Sequence, residues 1–478
     1  MAGNSPVTRD LGPGPEPMAV LDGLEGREGV FLLESALRPG RFARWSYLGF
    51  APFMTVAAKG RLTWTRAHGK RSDLDGTAFN ELGSLLTRFE VPAGVETRAG
   101  SGPEFRCGAV GYFGYELGRL IEKLPAEVPD DLHLPDMHLG LYDRSLAYDH
   151  DSGRWWASAC DLGGADPAGV MDELASLLAG AGHGTRDTEH AKVICSARDS
   201  LRSNFSAEEY AAAVSRVIEY IRAGDIFQAN FTQRFESSWT TGALDLYRRL
   251  RAVNPAPFAA YYDFGAGQVV SSSPELFLRV RDGLVETRPI KGTRPRGATG
   301  AEDRRLAAEL QASPKDRAEL TMIVDLERND LGRVCSYGSV AVAGHLELES
   351  YPTVHHLVST VTGRLHGERT LVDLLKATFP GGSITGAPKV RAMEIVDELE
   401  RSARGVYTGA MGYVGFDGSA LLNLPIRTFT VADGRACFGV GGGIVADSSP
   451  EGEYQESLDK ARGLIAALER VPTGEAAG

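Results

Sequence analysis

Short apolar runs bounded by Gly, Pro and Asp recur along the whole chain, and they do not alternate regularly with helical segments. Such runs are typical of β-strands separated by turns. A doubly wound parallel sheet requires regular alternation of strands and helices, and no internal repeat with a period of about 20 to 50 residues is present. The pattern therefore predicts an α+β fold.

The length of 478 residues exceeds what one hydrophobic core usually organises, so two domains and one large interleaved fold both remain open. A polar stretch divides the chain, and both ends are rich in Pro and Gly. The predicted organisation is a disordered N-terminus (1–18), an N-terminal region of mostly strands (19–180), a linker (181–200), a second region (201–470) and a disordered tail (471–478).

The second region begins with a clearly signalled helix. Ser206 and Glu209 have the spacing of a capping box, apolar residues follow on one face, and Gly224 marks the end. Further helices are predicted at about 301–330, 370–400 and 450–470.

The charge balance limits the class of partner. Acidic residues outnumber basic ones by 63 to 51, which gives a net charge of -12 and disfavours a nucleic acid or an anionic membrane surface as partner. An anionic ligand must therefore be held by local cations. The N-terminus lacks a signal-peptide pattern, and no run reaches the roughly 18 apolar residues of a membrane span, so we expect a cytoplasmic protein.

The five cysteines are isolated in the sequence, at positions 107, 160, 195, 335 and 437. Their spacing indicates neither a zinc site nor a disulfide framework. We therefore expect reduced thiols.

Two pairs of acids have helical spacing: Asp316 with Glu319, and Glu453 with Glu456. A separation of three residues places both members of a pair on one helical face. If the two faces meet, their oxygens would suit a hard cation such as Mg²⁺. Taken alone, solvated helix faces explain such pairs more often.

Glycine-rich stretches could bring backbone N–H groups close to an anion. Gly439, Gly441, Gly442 and Gly443 form one such run, although a tight turn explains them equally well. Another run, PGGSITGAPK, precedes a predicted helix and could simply shape its entry. The fingerprints of nucleotide-binding loops are absent.

The run RPIKGTRPRG places Arg288, Lys291, Arg294 and Arg296 within nine positions. A surface charge cluster is the usual explanation. However, Ile290 before Lys291 and Gly-Thr after it favour a strand end that points an amine into a site. A desolvated amine there would have the lowered pKa of a nucleophilic or basic lysine.

Together these segments resemble the chorismate-utilising enzymes, which include component I of anthranilate synthase and of aminodeoxychorismate synthase, isochorismate synthase and salicylate synthase. The family's motifs occur in order over about 201–470, among them SSSPELFL, RPIKGTRPRG and GGGIVADSSPEGEYQESLDKA. FLLESA and RWSYLG resemble the N-terminal part of the amidotransferase-linked members. The resemblance implies two interleaved subdomains, with antiparallel sheets packed as a sandwich and helices outside.

The resemblance also implies roles for individual residues. Mg²⁺ would bind the ring carboxylate of chorismate, with Glu319 and Glu456 as direct ligands and Asp316 and Glu453 acting largely through water. Glu275 would be the general acid at the C4 hydroxyl, and His356 would lie near the ring. Residues expected to bind substrate are Tyr407, Arg427, Lys460, Gly292, Thr293 and the backbone of Gly441, Gly442 and Gly443.

Residues at two positions distinguish among the reactions of the family. Isochorismate and salicylate synthases carry a lysine base where this chain has Gln228, and a glutamine cannot deprotonate water. Lys291 stands where anthranilate synthases typically have alanine, and it resembles the lysine thought to attack C2 of chorismate in the branch that aminates C4. The resemblance therefore implies Mg²⁺-dependent amination at C4.

The source of ammonia and two alternatives stay open. No glutamine amidotransferase segment with a nucleophilic cysteine is present, so ammonia is expected from a separate amidotransferase subunit or from solution. The alternatives are anthranilate synthase component I, which aminates C2, and a non-catalytic chorismate-binding subunit. NPAPFAAY lacks the methionine usual in the tryptophan-feedback pocket of anthranilate synthases, whereas Ser35 in LLES leaves a vestigial pocket open.

Overall fold

Two large β-sheets organise the chain, and the computed structural model describes residues 5–37, 40–91, 102–124, 128–164, 166–181, 200–352 and 354–469. The strands are β1 (Val7–Pro13), β2 (Phe31–Glu34), β3 (Trp45–Gly49), β4 (Met54–Lys59), β5 (Leu62–Ala67), β6 (Lys70–Leu74), β7 (Gly108–Phe113), β8 (Met137–Tyr142), β9 (Arg144–Asp149), β10 (Arg154–Ala159), β11 (Arg202–Ser203), β12 (Gln228–Ser238), β13 (Phe258–Asp263), β14 (Gln268–Ser273), β15 (Leu276–Arg281), β16 (Leu284–Arg288), β17 (Ile290–Pro295), β18 (Ala341–Ser350), β19 (Val354–Arg364), β20 (Gly386–Ala387), β21 (Ala410–Gly415), β22 (Ala420–Asn423), β23 (Thr428–Ala432) and β24 (Arg435–Ile444). The α-helices are α1 (Pro17–Asp22), α2 (Ala78–Arg88), α3 (Pro167–Ala181), α4 (Ala207–Ala223), α5 (Ala243–Val253), α6 (Gly300–Ala312), α7 (Pro314–Gly332), α8 (Leu371–Thr378), α9 (Lys389–Leu399) and α10 (Pro450–Leu468).

Both sheets are antiparallel. The first has the strand order β1-β10-β9-β3-β2-β13-β14-β23-β24-β12-β11, with β20 also pairing β12. The second has the order β17-β19-β16-β15-β22-β21-β7-β8-β4-β5-β6, with β18 also pairing β19. Non-sequential neighbours in both orders show that the chain crosses repeatedly between distant strands.

The sheets pack face to face, and helices cover their outer faces. One core cluster joins Phe31 and Leu33 of the first sheet to Tyr112 and Met411 of the second. A second cluster packs α3, α5 and α10 on the first sheet, and a third packs α2, α7 and α8 on the second. This architecture confirms the predicted α+β sandwich with helices outside.

The two regions separated in the sequence share both sheets. In the first sheet β2 pairs with β13, so that Leu33 lies opposite Ala260. In the second sheet β7 pairs with β21. Neither region therefore has a complete sheet of its own. The predicted linker lies outside the described residues except at its two ends, and the predicted disordered tail lies wholly outside them.

The prediction of a disordered N-terminus is wrong for residues 7–18, whereas residues 1–4 lie outside the described part. Val7–Pro13 forms β1, which pairs with β10 at the edge of the first sheet. The indole Nε1 of Trp155 also donates to the carbonyl of Pro15 at 2.8 Å. The composition suggested disorder, but the open edge of a distant strand supplies hydrogen bonds to this backbone.

The expectation of unpaired thiols is wrong for two cysteines. Cys107, just before β7, and Cys160, just after β10, form a disulfide across a sequence separation of 53 residues. Cys335 and Cys437 are free and buried, and Cys195 lies outside the described residues. Only the tertiary fold brings Cys107 and Cys160 together, which is why their spacing carried no signal.

The helix signals of the second region are confirmed. Ser206 Oγ accepts from the N–H of Glu209, whose carboxylate accepts from the N–H of Ser206, and Gly224 ends α4 with a φ of 86°. The helices α6 to α10 occupy the other three predicted stretches. Within the described residues, no helix is both long and apolar enough to cross a membrane.

Candidate active site

The strand that carries Lys291 is irregular at the following residue. The pairing of β17 with β19 shifts register between Lys291 and Thr293, and Gly292 has a φ of 75°. A Cβ at Gly292 would lie 2.7 Å from Leu310 and 2.8 Å from Asp316. Since bulges re-aim neighbouring side chains, the glycine allows β17 to pass close to α6 and α7 while Lys291 faces inward.

The amine of Lys291 is held at one backbone atom. Its Nζ donates to the carbonyl of Ser383 at 3.1 Å. Burial lowers the pKa of Lys291, and the nearby carboxylates of Glu319 and Glu275 oppose this shift. A lysine in these surroundings has more of the neutral, nucleophilic form than a lysine in water.

The other cations of this run behave differently. Arg294 and Arg296 pair with acids on α6, at 3.2 Å from Glu309 and 2.7 Å from Asp303. Arg288 is buried and donates to Thr360 and Glu349. The run therefore combines two ion pairs near the surface with one buried arginine and one inward-facing amine.

Glu275 lies between β14 and β15 and is 4% exposed. The N–H of Ile290, next to Lys291, donates to Glu275 Oε1 at 3.4 Å. Burial raises the pKa of Glu275, which favours the protonated form that a general acid needs. The Ser383 hydroxyl lies close enough to oppose this shift, although no hydrogen bond of good geometry joins Ser383 Oγ to any described residue.

The two predicted acid pairs come from α7 and α10, and one lysine joins them. Lys315 Nζ lies 3.9 Å from Glu319 and 3.9 Å from Glu453. Glu319 Oε1 and Glu453 Oε2 are buried oxygens with no hydrogen-bond partner in the described part of the chain. Burial raises the pKa of both carboxyls. The site thus has an excess of buried acid that favours a cation.

The remaining two acids have partners. Asp316 accepts from Arg294 at 3.2 Å. Glu456 is half exposed and pairs with Lys460 at 2.8 Å. Partial burial raises the pKa of Glu456, but the charge of Lys460 outweighs this and holds the pKa below its usual value.

Carboxylate oxygens are the ligands that Mg²⁺ prefers. Among the described residues, no three acidic, histidine or cysteine side chains already stand together as a metal-binding group. The unpartnered oxygens of Glu319 and Glu453 nevertheless fit a hard cation in their donor type and in their need for positive charge. Glu319, Glu456, Asp316 and Glu453 are the residues that would hold it.

The glycines of β24 lie against these acids. Lys460 Nζ donates to the carbonyl of Gly441 at 2.9 Å. A Cβ at Gly442 would lie 3.1 Å from Glu453, and one at Gly443 would lie 2.0 Å from Nε2 of Gln228. Close packing requires glycine at position 441, where a Cβ would lie 2.0 Å from the carbonyl oxygen of Phe231. The side chain of Gln228 packs against Gly443.

Arg427 lies near His356 on another side of the site, and it is the cation of the two. Arg427 has a φ of 51°, a strained backbone for a non-glycine residue. Burial lowers its pKa, and within the described residues its guanidinium has no carboxylate partner. Burial and then the charge of Arg427 lower the pKa of His356 to about 3, so its ring is neutral at pH 7. His356 Nδ1 lies 2.8 Å from the hydroxyl of Thr293.

Tyr407 packs against β24 at Gly439. A Cβ at Gly439 would lie 2.3 Å from Cδ1 of the Tyr407 ring, so the ring occupies the space that a larger residue would need. It also lines a small polar cavity with Arg404 and Glu400, whose buried ion pair measures 2.7 Å. A role for Tyr407 at the substrate carboxylate stays a prediction.

Two residues in the site were not singled out in the sequence. Lys315 lies four residues before Glu319, a helical spacing that could have suggested their pairing. Ser383 lies in PGGSITG, and nothing local to that run indicates that its carbonyl would meet Lys291.

A second cavity, of about 220 Å³, lies away from these residues. Its lining includes Ser35 and Phe258, from the two sequence runs compared with a tryptophan-feedback pocket. The cavity contains none of the predicted catalytic residues.

Comparisons with known proteins agree with this arrangement. Residues 42–466 match the family described as chorismate binding enzyme. The chain is 37% identical to anthranilate synthase component 1 of Acetivibrio thermocellus, over 97% of this chain and 95% of that protein. It is 39% identical to aminodeoxychorismate synthase component 1 of Klebsiella aerogenes, over 93% of this chain and 95% of that protein.

A solved structure has the same fold. The crystal structure of anthranilate synthase component I from Streptococcus pneumoniae TIGR4 superposes with a TM-score of 0.77 at 32% identity, and the match covers 89% of this chain and 93% of that chain. The family match, the two relatives and this structure all extend over most of the sequence. The chain therefore belongs to the family of chorismate-binding enzymes.

Proposed function

We propose that the chain is the chorismate-aminating component of an aminodeoxychorismate synthase, which replaces the C4 hydroxyl of chorismate by an amino group. The observation that carries the proposal is the inward-facing, partly buried amine of Lys291, which is held by Ser383 and lies near Glu275 and Glu319. An amine in this position matches a nucleophile better than a surface charge.

In the first step the neutral amine of Lys291 forms a bond to C2 of the ring, both conjugated ring double bonds shift toward C4, and the C4–O bond breaks. Glu275 gives its proton to the departing hydroxyl, which leaves as water. The raised pKa of Glu275 favours the protonated form that this step needs. The Lys291 nitrogen loses its extra proton to the carboxylate of Glu275.

In the second step ammonia forms a bond to C4, both ring double bonds shift back, and the C2–N bond to Lys291 breaks. Glu275 returns its proton to the departing Lys291 nitrogen and then takes one proton from the new ammonium group at C4. The sum is chorismate and ammonia giving 4-amino-4-deoxychorismate and water. Arg427 and Lys460 would hold substrate carboxylates, since a guanidinium forks onto a carboxylate and Lys460 lies beside Gly441. Mg²⁺, when bound by the carboxylates of α7 and α10, would neutralise the ring carboxylate.

We further propose that ammonia comes from a separate glutamine amidotransferase subunit in the cytoplasm and that the product serves p-aminobenzoate synthesis, for folate or for a secondary metabolite. Purified chain alone should use ammonium salts but not glutamine. Addition of the cognate amidotransferase should restore turnover with glutamine. Full glutamine-dependent turnover by the chain alone would contradict the proposal.

Anthranilate synthase component I is the second candidate, because relatives with the two activities are 37% and 39% identical to this chain. The two reactions differ in product. Anthranilate fluoresces directly, whereas aminodeoxychorismate yields p-aminobenzoate only after a lyase is added.

The decisive experiment supplies chorismate, ammonium and Mg²⁺ and resolves the products before and after addition of the lyase. We expect p-aminobenzoate only after the lyase. Lys291→Ala should lower its formation by about a hundredfold or more, as expected for loss of a nucleophile. Lys70→Ala changes an exposed lysine at the opposite end of the same sheet and should have no effect. Anthranilate as the product of the native chain would refute the proposal.

A further inference from the structure

The loop that meets Lys291 also contacts a buried acidic cluster on its other side. This loop, residues 381–384, connects Pro380 to Thr385 and carries the carbonyl of Ser383. The cluster consists of Glu327 and Asp330 on α7 and Lys389 on α9. None of these three belongs to the acid pairs assigned to the metal.

Glu327 binds the loop directly. The N–H of Gly382 donates to Glu327 Oε1 at 3.3 Å, and Thr287 lies 3.5 Å from Oε2. Glu327 is 3% exposed and Thr287 is 2% exposed. Burial of a carboxyl group costs free energy unless the group is hydrogen-bonded, and these two contacts offset part of that cost for Glu327.

The cluster is anchored behind Glu327. Lys389 Nζ donates to Asp330 at 2.5 Å and to the carbonyl of Thr378 at 2.9 Å. These bonds fix the last turns of α7 against α9. Glu327, one turn before Asp330, is therefore presented to the loop from a rigid support.

The loop has little room to adopt another path at Gly382. A Cβ there would lie 2.8 Å from Leu326 and 3.2 Å from Glu327 Oε1. Farther along, Arg404 donates to the carbonyl of Ile384 at 3.0 Å. Glu327 thus holds the peptide between Gly381 and Gly382, and Arg404 holds the peptide between Ile384 and Thr385. These two peptides lie on either side of Ser383 and limit the direction of its carbonyl.

We propose that Glu327 is a positioning residue, which holds the loop so that the Ser383 carbonyl accepts from Lys291 and directs the amine's lone pair toward the substrate. A neutral amine that donates one N–H to a fixed acceptor has only two directions left for its lone pair, and a restricted near-attack geometry contributes strongly to rate. The consequence for turnover rests on the proposed function, whereas the effect on the Lys291 amine does not.

The charge state of Glu327 suggests the matched substitutions. Burial and then Asp330 raise the pKa of Glu327, Lys389 opposes the shift, and Glu275 adds to it. The raised pKa favours the neutral form of this side chain. Glu327→Gln keeps its size and an acceptor oxygen, whereas Glu327→Leu removes the acceptor and Glu327→Asp withdraws it.

The test measures the Lys291 amine itself. Full-length variants are treated with acetic anhydride over a range of pH, and acetylation of Lys291 is quantified by peptide mass spectrometry. We expect Glu327→Leu and Glu327→Asp to raise the midpoint pH of Lys291 acetylation by about half a unit or more, because a displaced loop admits water. Glu327→Gln should resemble wild type. Asp325→Asn, an exposed acid of the same helix, is the control.

Turnover provides the second readout. The Leu and Asp variants should lose about tenfold or more in kcat with KM changed by less than about threefold, since orientation acts on the reacting complex. If Glu327→Leu fails to fold, the result for Glu327→Asp alone tests the positioning role of Glu327. Folded Leu or Asp variants whose Lys291 acetylates as in wild type would overturn the proposal. A shifted acetylation midpoint in a chain that makes anthranilate would refute the proposed reaction but not the role of Glu327.

Discussion

Ionisable side chains with few ordinary partners distinguish the candidate active site at the scale of single residues. Lys291 has a lowered pKa and Glu275 a raised one, and burial is the largest cause in both. Arg427 lacks a carboxylate partner in the described part of the chain. Perturbed groups of this kind gather at functional sites because catalysis needs unusual charge states.

Substitution of Arg427 should weaken substrate binding. Arg427→Lys keeps the charge but loses the planar fork, so we expect KM for chorismate to rise about tenfold or more, with a smaller change in kcat. Steady-state kinetics at saturating Mg²⁺ measure this. Arg462→Ala, at an exposed arginine of α10, serves as the control. An unchanged KM would remove Arg427 from the binding site.

His356 should make the protein less stable toward acid. Its pKa is about 3 in the folded chain and about 6.5 when unfolded. As pH falls from about 6.5 toward 3, the unfolded chain gains a proton that the folded chain does not, so stability decreases. Between pH 7.5 and pH 5 this residue should account for a loss of about 2 kcal/mol.

Urea unfolding at these two pH values measures the effect. The loss of unfolding free energy between pH 7.5 and pH 5 should be about 2 kcal/mol smaller in His356→Gln than in wild type. The exposed His366→Gln should leave the loss unchanged. Equal losses in wild type and His356→Gln would contradict the lowered pKa.

At the scale of elements, two helices and one irregular strand assemble the site. The helices α7 and α10 bring their acids to a common lysine, Lys315. The bulge at Gly292 turns β17 so that the amine of Lys291 faces the space between α7 and α10 where these acids lie. Each element follows from local signals, but the site exists only where the three meet.

Neutralising one acid of α10 should affect the response to metal. We expect Glu456→Gln to remain folded and to need about tenfold or more Mg²⁺ for half-maximal activity, because an amide is a weaker ligand than a carboxylate. A Mg²⁺ titration of activity, with circular dichroism as the check on folding, measures this. Glu451→Gln alters an exposed acid of the same helix and should not change the titration. A wild-type response in Glu456→Gln would exclude Glu456 from the metal site.

At the scale of the whole molecule, the two regions of the sequence form one folding unit. The pairings of β2 with β13 and of β7 with β21 join the regions in the middle of both sheets. The core between the sheets contains residues from both regions, such as Phe31 and Met411. Separation of the regions would expose sheet edges and apolar faces together.

A fragment of residues 201–478 should therefore not fold alone. We expect it to lack the near-ultraviolet circular dichroism and the cooperative urea transition of the full chain, because β13 and β21 would lose their partners. Coexpression with residues 1–200 is the control and should restore a soluble complex. A cooperatively folded 201–478 fragment would contradict the shared core.

The sequence by itself determined the local structure and the family. The capping box of α4, the helices after residue 300 and the α+β class depend on the hydrogen bonds and side-chain periodicity of near neighbours, which a sequence displays directly. The ordered motifs also identified Lys291, Glu275 and the acid pairs.

Only the tertiary structure decided which distant residues meet. The strand at Val7–Pro13, the disulfide between Cys107 and Cys160, and the contacts of Lys291 with Ser383 and of Glu327 with Gly382 all join segments far apart in the chain. Such contacts depend on how two sheets pack and cross, and no local pattern records that. For Lys291, the sequence named the residue, and the fold decided the surroundings that lower the pKa of its amine.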